Sequence, residues 1–178
     1  PSGTPDGLTV RAAWSPDADG SSTTGDKAAG GDSGVKGSGW DVIATATSDL
    51  HGMDGLTIYG GLSEVDQNQN GAGTNGDSSE RVMGVSYAMG GFTVGYQVND
   101  DETGLTAATS YDNTMYSVTF SVNDDLSIGY NHIESDKAGG NTAEAESLQV
   151  AYTMGGATIS ISDVSVDNQA HGTNARND

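Results

Sequence analysis

The chain has no cysteine, three prolines, six lysines and arginines, and no long apolar run. Each shortage removes a class of explanation. Without cysteine there is no disulfide scaffold, no thiolate metal site and no cysteine nucleophile. No apolar stretch approaches the ~18 residues that a membrane-crossing helix needs. Six basic residues against 25 acidic ones give a formal net charge of −19. That balance argues against nucleic acid, which rewards clusters of Lys and Arg, and against docking on an anionic membrane surface. It suits solubility, cations or a surface in an ionic medium. Hydrophobic residues are only 34% of 178, and 27 residues are glycine, a composition poor for a soluble core and leaning toward disorder. There is no signal peptide, and the chain runs from Pro1 to "NARND", which reads as a fragment or processed segment.

What is present is strict alternation. Met83, Val85, Tyr87 and Met89 alternate with Gly84, Ser86 and Ala88; after Gly90-Gly91, Phe92, Val94, Tyr96 and Val98 alternate with Thr93, Gly95 and Gln97. Period two means strands with one apolar and one small polar face, and paired glycines supply the turn of a two-residue hairpin. "YTMGGATISISDV", from Tyr152 to Val164, repeats the design. Similar runs begin at Leu8, Trp40, Leu56, Tyr116 and Leu126. The pattern predicts nine strands of about 9–11 residues, the length that crosses a bilayer at a tilt. Tight joins fall near 48–55, 90–91, 123–125 and 155–156; long polar joins fall near 15–39, 67–80, 101–113 and 135–145. Short turns at one end and long loops at the other predict an all-β, antiparallel up-and-down meander, part of a transmembrane β-barrel, over 1–178. Aromatic residues near strand ends (Trp14, Trp40 and Tyr116 by long loops; Tyr87, Phe92, Phe120 and Tyr152 by short turns) suit two interfacial girdles.

"VMGVSYAMGGFTVGYQV", "YSVTFSVNDDLSIGYNHIES" and "ESLQVAYTMGGATISISDV" resemble the C-terminal part of a Gram-negative outer-membrane porin, most of all the general-diffusion porins of marine alphaproteobacteria, with the strongest likeness over 81–166. The resemblance implies a bacterial outer-membrane location, a water-filled channel for passive diffusion of small hydrophilic solutes and ions, contact with membrane lipid, no catalysis, and a homotrimer. The alternative from the residues alone is a secreted or surface-bound acidic β-sheet adhesin or binding module with Ca-binding loops, its apolar face packed on a second sheet.

If the polar face lines a lumen, Arg11, Asp41, Tyr59, Gln97, Asn131 and Gln149 are candidate pore-lining residues. Acidic residues gather in the long loops (Asp17, Asp19, Asp26, Asp32, Asp66, Asp77, Asp100, Asp101, Glu102 and Asp136), and predict a mild preference for cations. No cofactor is required. Asp66, Asn68, Asn70 and Asp77 follow the oxygen-ligand spacing of a calcium loop, a weak calcium candidate since no helices flank it. His51, His132 and His171 lack zinc-ligand spacing.

Overall fold

The computed structural model describes residues 3–16, 36–67, 77–104 and 110–172. They form nine strands: β1 (Leu8–Ser15), β2 (Lys36–Ala46), β3 (Leu56–Gln67), β4 (Ser78–Met89), β5 (Phe92–Glu102), β6 (Ser110–Ser121), β7 (Leu126–Lys137), β8 (Ala143–Met154) and β9 (Ala157–Asp167). One four-residue helix, α1 (Ser48–His51), lies between β2 and β3. The strands lie in one antiparallel sheet in chain order. Among the described residues the sheet is not closed: β1 pairs only with β2, and β9 only with β8. This is the predicted meander, an incomplete barrel.

The turns follow local chemistry. Gly155 and Gly156 both have positive φ (58° and 86°), as a type I′ hairpin requires, whereas only Gly90 (59°) does in the β4–β5 turn, the pattern of type II′. Between β6 and β7 the Asn123 side chain takes the place of glycine. Its Oδ1 accepts from the backbone N–H groups of Asp125 and Leu126, both at 2.9 Å, an Asx-type turn.

The long joins are shorter than the alternation suggested. The clearest case is 135–145, where β7 continues to Lys137 and β8 starts at Ala143. The cause is that these strand ends carry acidic side chains on the face that is apolar lower down, so hydrophobic periodicity ends before the hydrogen-bonded ladder does.

No side chain is fully buried among the described residues, and large apolar side chains stand exposed, among them Ile161 (70%), Trp14 (69%) and Met83 (66%). All three belong to one face of the sheet. No second sheet covers it among the described residues.

The register gives this apolar face a slanted edge. One row of directly paired residues reads Val10, Ala44, Gly60, Met83, Val98, Thr114, Glu134, Glu144 and Asp167. It begins apolar and ends acidic. The first apolar residue met from the long-loop end is Trp14, Trp40, Leu62, Met83, Val98, Tyr116, Tyr130, Leu148 and Ile161 on β1 to β9 in turn. This edge moves five rows toward the turn end over eight strand-to-strand steps. At about 6.6 Å per row and about 4.8 Å between strands, the slope corresponds to strands tilted about 40° from the normal of a level belt. That lies within the ~35–45° of transmembrane barrels. The belt is about four rows deep on most strands, about 20 Å along the normal once the tilt is applied, close to the apolar band of an outer-membrane wall.

Several aromatic residues lie at the belt's two margins. Trp14, Trp40, Tyr116 and Tyr130 form its loop-side edge on their strands, and Phe92 and Phe120, stacked with centroids 4.3 Å apart, lie beside the turn-side edge. Amphipathic rings prefer this level, where an apolar body meets a wet headgroup zone.

Candidate channel wall

The opposite face carries the polar residues. Arg11, Asp41, Tyr59, Gln97, Asn131 and Gln149 all project from it, as their shared register parity requires. Four of them, Asp41, Gln97, Asn131 and Gln149, each adjoin in sequence the first apolar residue of their strand. After correction for tilt they lie at one level, on the loop side of the wall.

Tyr59 and Gln97 are joined directly. The phenol O–H donates to Gln97 Oε1 at 2.6 Å, and Gln97 Nε2 lies 3.8 Å from Met115 Sδ. The bond spans the strand between them because β4 has Gly84 opposite Tyr59. A Cβ at Gly84 would lie 2.2 Å from Tyr59 Cζ, so the ring lies across a backbone that only glycine leaves bare. Further along, Asn131 Nδ2 donates to Ser147 Oγ at 3.2 Å. These bonds run across strands and hold polar side chains flat along the wall.

A concavity of about 510 Å³ on the same face is lined by Asp41, Ile43, Ser63, Glu80, Gln97 and Met115. Glu80 pairs in register with Asp101 here; Asp101 was expected in a long loop, and Glu80 was not singled out by sequence reasoning. Extending the period-two parity past the apolar run would have placed both on this face. Lys137 also belongs to this face and lies 5.6 Å from the centroid of the Tyr111 ring, a cation–π distance.

On the apolar face, just beyond the loop-side edge of the belt, is a cluster that sequence reasoning did not anticipate. His132 is buried, stacked on Tyr116 at 4.7 Å. Its Nε2 lies 3.2 Å from Glu134 Oε1, and its Nδ1, 3.5 Å from Glu146 Oε1, makes no hydrogen bond. Tyr130 donates its O–H to the same Glu146 oxygen at 3.1 Å.

For the calcium candidate, the structure brings Asp66 and Asp77 together with Glu64, one carboxylate oxygen from each lying within 4.8 Å of the others. Ser38 donates its hydroxyl to Asp66. Asn68 and Asn70 lie outside the described residues, as do Asp17, Asp19, Asp26 and Asp32.

Among curated proteins, none matches the chain. A family model described as Gram-negative porin matches residues 2–174, nearly the whole chain. The tilted apolar belt, the polar opposite face and this match agree that the chain belongs to the Gram-negative porin family, proteins of the bacterial outer membrane.

Proposed function

We propose that the polar face lines a water-filled channel through which small hydrophilic solutes and ions diffuse passively, with a mild preference for cations. The observation that carries this is the division of the sheet into an uncovered apolar belt and a face bearing Arg11, Asp41, Tyr59, Gln97, Asn131 and Gln149. Water must cover the second face if lipid covers the first. The cation preference is supported by Asp41, Glu80 and Asp101 on the loop-side part of the polar face, against Arg11 and Lys137. Acidic groups near a channel mouth raise the local concentration of cations. The family is one of diffusion channels, so no bond chemistry enters the proposal. A homotrimer is proposed by the same family analogy.

The test is single-channel recording from the full-length protein in a planar bilayer, with a salt gradient. Stepwise conductance that scales with bulk salt, and a zero-current potential of the sign set by cation flow, are expected. A potential of the opposite sign at low salt would remove the cation preference, and absence of any conductance would remove the channel.

A further inference from the structure

The chain does not leave the loop-side end of β9 directly. After Asp167 it turns back through a single 3₁₀ turn (Gln169–His171). This places the His171 ring 5.3 Å from the Tyr111 ring of β6, centroid to centroid. In the sheet β6 is three strands away from β9, about 14 Å at the usual strand spacing. Tyr111 pairs with Asp101 on one side and Lys137 on the other, so it shares their face, the polar one. Segment 168–172 therefore returns along the inside of the wall. Tyr111 also stands in one row with Asp101 and Glu80, so the segment meets the wall at the level of the acidic mouth.

Three hydrogen bonds seat it on the join between β7 and β8. His171 Nδ1 donates to the Asn141 carbonyl at 2.9 Å, and the Asn141 N–H donates to the His171 carbonyl at 3.4 Å. Asn168 Nδ2 donates to the Thr142 carbonyl at 2.9 Å. A Cβ at Gly140 would lie 3.2 Å from His171 Cβ and 3.3 Å from Lys137 Cβ. Glycine at that position lets the segment come close.

The segment is held against its own backbone preference. Asn168, Ala170 and His171 have φ of 49°, 58° and 59°, the left-handed region that crowds a Cβ. Asparagine is common there, and alanine has no side-chain bond to offset the crowding. Such a conformation persists where the surroundings over-determine it. Here the surroundings are the Tyr111 ring and the bonds to Asn141 and Thr142. Without them the segment has a more relaxed conformation to adopt.

We propose that segment 168–172 is a strap folded into the channel mouth, latched by His171 on Tyr111, and that it limits the size of solute admitted. The proposal rests on the reading that the polar face lines a channel. It adds a movable part to a wall that is otherwise a fixed sheet.

A reversible covalent lock tests it. The chain has no cysteine, and φ at Gly140 is not positive, so a side chain is accepted there. The Cβ separation of 3.2 Å between positions 140 and 171 is within a few tenths of an ångström of what a disulfide spans. Gly140→Cys with His171→Cys in the full-length protein is expected to form that disulfide under mild oxidation, read by mass spectrometry. In a planar bilayer the oxidised protein should conduct as the wild type does. Reduction frees a strap that has lost its histidine, and should raise the single-channel conductance and let larger poly(ethylene glycol) molecules enter the channel. His171→Ala should behave as the reduced form does. It loses one ring contact and one hydrogen bond, which shifts the strap toward its released position by about tenfold. Failure of the disulfide to form would overturn the seat of the strap. A disulfide that forms and leaves conductance and polymer exclusion the same before and after reduction would overturn its role at the mouth. In either case a conducting wild-type protein leaves the channel reading intact, whereas a wild type that does not conduct overturns the channel and the strap's role together.

Discussion

Tyr59 can reach Gln97 only because Gly84 has no side chain in the way. Gly84→Ala would put a Cβ against the phenol ring, and the ring must swing off the wall and break its bond to Gln97. The expected cost is about 1–3 kcal/mol, read as a lower urea midpoint for the full-length protein in lipid vesicles. Unchanged stability would mean that the ring is not held in this position. The six polar-face candidates were legible from sequence because parity along a strand is a local property. The Tyr59–Gln97 bond was not, since it joins residues 38 positions apart and depends on a register that alternation leaves open. The His132 cluster was hidden for a similar reason: Tyr116, His132 and Glu146 come from three different strands. In the calcium candidate, spacing alone named Asp66 and Asp77 and missed Glu64, which precedes the loop pattern and joins it only through the fold.

At the scale of the strand, two faces of one element should respond differently to the same substitution. On β5, Val94 lies within the apolar belt, and its neighbour Thr93 projects from the polar face. Val94→Arg is expected to lower the free energy of unfolding from bilayers by about 2–4 kcal/mol, the cost of a cation near the lipid midplane. Thr93→Arg should stay within about 0.5 kcal/mol of wild type, as an exposed substitution does. Equal effects would mean that the assignment of faces is wrong. Strand number, order and turn positions were readable from the sequence because apolar alternation and the Gly-Gly pairs are strong local signals. Strand ends were less so. Glu134 and Glu144 pair within the ladder, yet an acidic residue on a strand looks the same in sequence as an acidic residue in a loop.

The inclination of the whole sheet emerges only once the register is known. Each strand alone shows where its apolar run starts; the slant appears when nine such starts are placed on common rows. A direct check uses Ala44 and Glu134, which share a row but fall on opposite sides of the belt's edge. Because the chain has no cysteine, Ala44→Cys and Glu134→Cys each give a single labelling site in it. A spin label at position 44 should be reached by oxygen, which concentrates in lipid, and one at 134 by a water-soluble nickel complex. Matching accessibilities at the two positions would mean that the rows run level and the strands stand upright.

The slant makes the wall a screw thread. A line followed from strand to strand along paired residues does not return to its own height but advances by about 1.25 residues per strand. Going once round a closed cylinder, the thread would meet itself displaced, so the seam must join strands with a large fixed offset. The outer backbone edges of β1 and β9, unpaired by any strand among the described residues, therefore differ in height as well as in sequence. Whatever strand docks on either one has to match that pitch, in the way that a nut accepts only a bolt of its own thread.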